Sequence, residues 1–129
     1  MEQPRQPQHE QWYFQSDYDL ETGKYMLKTG RNIYCIFMCH LSLEKALKGL
    51  YIKRCNEIPP RLHDLMYFIG KLTLELTEEY TTFMVWINGL SIATRYPEDL
   101  QKMIAFYTDS QTSDIYRQTK MVQQWIKAQ

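Results

Sequence analysis

The chain has no apolar run approaching the roughly 20 residues of a membrane-spanning helix, so a membrane span is not expected. It has no net charge either: Lys plus Arg is 15 and Asp plus Glu is 15. A neutral chain exerts no whole-surface attraction on nucleic acid, and any such binding must come from a local patch. Cysteine is scarce, with Cys35, Cys39 and Cys55 only. An odd number without an apolar leader excludes a disulfide framework and predicts a reducing, cytoplasmic setting. Glycine and proline number five each, with no glycine-rich phosphate loop, nucleophile elbow, internal repeat or low-complexity tract. No stretch alternates apolar and polar residues as a strand does.

What is present points to helices. Hydrophobic residues make up 44% of the 129, enough for a core without staples. Residues 1–8 are polar, hold two prolines and read as a loose tail, leaving 9–129 as a single domain. A first helix is expected from about His9 to Lys28, with Ser16, Leu20, Gly23 and Leu27 on one face. Its two small residues invite close helix approach, and Gly30 supplies the stop. A second helix, Arg31 to Arg54, follows a very short link and forms a hairpin with the first. Asn56 to Pro60 breaks the pattern. A shorter helix is predicted over 64–74, a fourth from about Thr77 to Thr94, and a last from about Thr112 to Lys127. Phe83, Trp86, Ile87 and Leu90 stripe the fourth, which ends at Arg95-Tyr96-Pro97. Ser110, Thr112 and Ser113 are the candidate caps of the last. The fold class is therefore all-α, an antiparallel bundle of about five helices.

The second helix is the most informative element. At about 100° per residue, Ile33, Phe37, Leu41 and Ile52 share one side, and Ile36, Leu43, Leu47 and Leu50 an adjoining arc. A helix apolar over most of its girth is central and buried. Yet His40, Glu44 and Lys48 stack at i, i+4 and i+8 as a polar ridge, and polar groups there need partners. Glu44 and Lys48 stand in the favourable order for an ion pair. Alternatively the ridge lines a cleft in which Lys48 or Lys45 meets a phosphate. Cys35 and Cys39 lie a turn apart beside His40, but a metal site needs a further ligand, so they read as small buried hydrophobes. Asp17 and Asp19 point about 200° apart and read as a solvated face. His63, beside Asp64, fits a cap or turn. Arg95 complements a helix C-terminus or contacts a ligand.

Three ordered blocks then resemble a known family. They are Tyr18-Asp19-Leu20-Glu21 through Gly30 to Glu44-Lys45-Ala46-Leu47-Lys48, then Pro59-Pro60 with His63-Asp64-Leu65, then Thr94-Arg95-Tyr96-Pro97-Glu98. Together they resemble the HEPN domain (higher eukaryotes and prokaryotes nucleotide-binding), in its small prokaryotic form. The resemblance implies a helical bundle pairing into a homodimer. It also implies one of two behaviours: a metal-independent RNase, often a toxin of a toxin–antitoxin pair, or a non-catalytic partner of a minimal nucleotidyltransferase.

The RNase members use Arg followed by His after four to six residues. Here Arg31 to His40 and Arg54 to His63 have eight intervening residues, Arg61 to His63 one and Arg5 to His9 three. Arg95 is followed by no His. The expectation leans away from an enzyme, toward a nucleotide- or RNA-associated binding subunit beside a nucleotidyltransferase. The alternatives are an RNase with an aberrant site and a ligand-free interaction scaffold. No catalytic residue, metal or cofactor is assigned. The expected ligand-binding residues are His40, Glu44, Lys45, Lys48 and Arg95, with Glu44, Lys48 and Arg95 in one cluster.

Overall fold

A computed structural model describes residues 7–93 and 97–129, with side chains described for 7–90 and 98–129. Among these residues there are six helices and no strand: α1 Gln8–Lys28, α2 Asn32–Cys55, α3 Leu65–Lys71, α4 Glu78–Ala93, α5 Pro97–Phe106 and α6 Asp109–Lys127. The expected loose tail over 1–8 lies mostly outside the described residues, and α1 begins at its last position.

The α1–α2 hairpin forms as anticipated. Gly30 sits at φ +77°, the left-handed conformation that a helix terminus asks of glycine. The Arg31 N–H donates to the Met26 carbonyl (2.8 Å) and the Gly30 N–H to Leu27 (3.2 Å), the paired bonds of a Schellman stop. Small residues then let the two helices close. A Cβ on Gly23 would lie 3.2 Å from Met38 Cβ, and one on Gly49 would lie 2.7 Å from the Tyr13 ring. Ser16, fully buried, donates to the Ser42 carbonyl (2.6 Å), and Ser42 donates back to the Ser16 carbonyl (2.8 Å).

α2 is the axis of the molecule, packing against α1, α3, α4, α5 and α6. Ile36, Leu43, Leu47 and Leu50 are wholly buried, as are Cys35 and Cys39. Phe68, Met84, Ile87, Val122 and Ile126 close over them from α3, α4 and α6. The arc of Ile36, Leu43, Leu47 and Leu50 is thus covered by its own chain, whereas Phe37, Leu41 and Ile52 on the adjoining side stay half-buried.

Four local readings change. α5 falls where only an end to α4 was expected: Pro97 is its first residue, a position proline suits because it lacks the N–H that would go unpaired. α6 starts earlier than predicted, at Asp109. Its cap is Thr108, whose hydroxyl accepts from the Gln111 N–H (3.2 Å) while the Gln111 side chain accepts from the Thr108 N–H (3.0 Å). Asp19 is buried and paired, not solvated, because the α1 face it occupies turns toward α2. The third helix also ends early, since Thr73 at φ 48° leaves helical geometry.

Candidate functional site

The polar ridge of α2 becomes a cluster built from several elements. His40, Glu44 and Lys48 are all buried on α2. Lys48 Nζ donates to Glu44 Oε2 at 3.1 Å. The same ammonium lies 5.7 Å from the Trp12 ring centre and 6.0 Å from that of Phe68. Aromatic faces attract a desolvated cation, so α1, α2 and α3 jointly compensate the buried charge. The other carboxylate oxygen, Glu44 Oε1, lies 3.0 Å from His63 Nδ1.

His63 reaches Glu44 because the loop after α2 folds back over the ridge. Asn56 ends α2 in left-handed geometry, Pro59 is buried, and Asp64 caps α3 by accepting from the Met66 N–H at 3.0 Å. The cap is therefore Asp64, and His63 is freed to pair with the ridge. Asn88 of α4 locks this entry: it accepts from the Leu65 N–H (2.9 Å) and donates to Asp64 Oδ1 (2.8 Å).

The two imidazoles differ in environment. Burial pushes the His40 imidazole below the ordinary histidine range, against the opposing pull of Glu44 and Asn88. Its Nε2 is buried and lacks a hydrogen-bond partner among the described residues. The His63 side chain is 76% exposed. With Glu44 accepting at Nδ1, the proton is assigned to Nδ1 and the outward Nε2 is the basic nitrogen. The cluster meets solvent through that edge. The imidazole edge there is open to a hydrogen-bonding partner.

Of the five expected ligand residues, three gather here: His40, Glu44 and Lys48. Lys45 lies on another face, 2.6 Å from Asp19 of α1 in an ion pair. The expected joining of Arg95 to Glu44 and Lys48 falls outside the described residues. His63 and Asn88 were not expected in the cluster. His63 carries no periodicity signal, since it sits in an irregular loop; its only sequence cue was the Pro-Pro…His-Asp block. Among the described residues no three His, Cys, Asp or Glu side chains converge as metal ligands.

An all-α bundle wound round one buried helix that carries a polar ridge defines the class. A family model described as HEPN domain matches residues 9–129. The chain belongs to the HEPN domain family. Its fold is similar to that of TT1696 from Thermus thermophilus, with a TM-score of 0.80 at 18% identity over 95% of this chain and 98% of that one. It is also similar to ST0689, described as an archaeal HEPN homologue, with a TM-score of 0.73 at 18% identity over the same shares. At this identity the likeness speaks to fold alone. A search of the curated proteins finds no match.

Proposed function

We propose that this HEPN protein is a non-catalytic, nucleotide- or RNA-associated binding subunit, acting as a homodimer beside a minimal nucleotidyltransferase in the cytoplasm. The observation that carries the binding role is the Glu44–His63 pair at the outer edge of a desolvated cluster. It offers a ligand one exposed imidazole held by Glu44 at Nδ1, on a ridge whose buried His40 Nε2 has no hydrogen-bond partner among the described residues. Lys48 supports the site by holding Glu44. The RNase spacing of Arg and His is absent from the chain, which supports a binding role over a catalytic one.

A second reading rests on the same pair. A carboxylate-oriented imidazole is also an acid–base element, so metal-independent RNA cleavage is the runner-up. One pair of measurements separates them. Wild-type protein is expected to melt higher in the presence of ATP, His63→Ala to lose that rise, and neither to cut single-stranded RNA or tRNA in chelator. Cleavage by wild type that disappears in His63→Ala or His40→Ala would establish the second reading. No thermal shift and no cleavage would leave neither standing.

A further inference from the structure

Away from the α2 ridge, α1 and α6 line a cleft of about 420 Å³. Lys24 and Lys28 line it from α1, Lys120 and Lys127 from α6. The lining carries two carboxylates, Asp17 and Glu21. Asp17 is already occupied, accepting from Lys127 Nζ (2.8 Å) and Gln123 Nε2 (2.6 Å). Lys24, Lys28 and Lys120 are exposed and have no ion-pair partner among the described residues. In a chain with no net charge, this is a local concentration of positive potential.

Two tyrosines share the cleft. Tyr25 is largely exposed, with Lys28 Nζ 5.7 Å from its ring centre. Tyr116 is half-buried, and burial raises its phenol above the ordinary range, so it stays neutral. Lysines beside aromatic faces suit a phosphate backbone whose bases stack. The cations are also spread out. Lys24 and Lys28 are about 6 Å apart along the helix axis, and Lys120 and Lys127 about 10.5 Å. A lone phosphate group cannot meet them all, whereas a strand with repeated phosphates can.

We infer that the α1–α6 cleft binds single-stranded nucleic acid, through phosphate contacts to Lys24, Lys28 and Lys120 and base stacking on Tyr25. This site is separate from the Glu44–His63 cluster and does not depend on that cluster's role.

The test is fluorescence anisotropy of a labelled oligouridine of about 12 nucleotides, titrated with the full chain at about 50 and 200 mM salt. Saturable, salt-sensitive binding is expected. Lys24→Gln combined with Lys120→Gln should weaken it about tenfold and flatten the log–log salt slope by about 1.4, at about 0.7 per lost phosphate contact. Tyr25→Ala should weaken it about fivefold or more. Lys53→Gln combined with Lys71→Gln, two exposed lysines outside the cleft, should leave it unchanged.

Equal weakening by both lysine pairs would reduce the binding to general charge and overturn the assignment, as would no binding at all. Loss in His63→Ala but not in the Lys24/Lys120 variant would place the strand on the other cluster. Full competition by inorganic triphosphate at equal phosphate concentration would leave only an isolated phosphate site.

Discussion

Lys48 shows how much compensation a single buried charge needs. Its ammonium is buried, paired with Glu44 and flanked by Trp12 and Phe68. Removing one partner of a buried pair leaves the other charge uncompensated. Lys48→Met should therefore cost about 3–5 kcal/mol, read from urea unfolding, and Glu44→Gln in the same chain should recover part of it. A cost under about 1 kcal/mol would mean His63 alone suffices for Glu44.

His40 gives a pH dependence with a definite sign. Burial lowers its folded-state pKa below the ordinary value of 6.5, with Glu44 and Asn88 opposing and His63 reinforcing. The unfolded chain then binds the proton more readily, so the contribution is complete above about pH 6.5 and is lost as pH falls toward the depressed value. Unfolding free energy should be lower at about pH 5.5 than at about pH 7.5, and His40→Gln should shrink that fall. An unchanged slope in the variant would show that His40 is not its source.

At the level of elements, the two longest helices are joined by contacts that leave no room for a side chain. Gly49→Ala gains helix propensity, yet its methyl would lie 2.7 Å from the Tyr13 ring and 3.1 Å from the His9 carbonyl. Overpacking should win and lower stability by about 1–3 kcal/mol. Gly89, in α4, has nothing within 4 Å of the same methyl, so Gly89→Ala should raise stability by about 0.5–1 kcal/mol. Opposite shifts in melting temperature for the two variants are the expected result. These helix boundaries were largely legible because their stops are chemical: Gly30, Asn56 and the Pro59-Pro60 pair. α5 was not, because Pro97 marks both an end and a beginning, and proline at a first helical position looks like a breaker when read from upstream. The α6 cap was legible in principle, since Thr108-x-x-Gln111 is a capping-box spacing.

For the molecule as a whole, one arc of α2 is covered by its own chain, while Phe37, Leu41 and Ile52 stay half-buried. Further apolar side chains lie open on other helices. Phe14 and Tyr18 on α1, with ring centres 6.5 Å apart, Val85 and Trp86 on α4, and Phe106 at the end of α5 are exposed. A homodimer burying more than about 1,200 Å² in total is expected in sedimentation at tens of micromolar, and Phe14→Ser with Tyr18→Ser should shift it toward monomer if α1 carries the contact. A monomeric wild type would remove the dimer from the proposed function.

The all-α class, the central place of α2 and the pairing of Glu44 with Lys48 were readable from the chain alone. Each of these follows from periodicity or from neighbours a turn apart, which are local properties. Packing supplied the rest. It sent Lys45 to Asp19, freed His63 to reach Glu44 across 19 residues, and brought Lys24 and Lys28 opposite Lys120 and Lys127. Those meetings depend on how helices pack and loops return, and no spacing along the chain encodes a distance between separate elements.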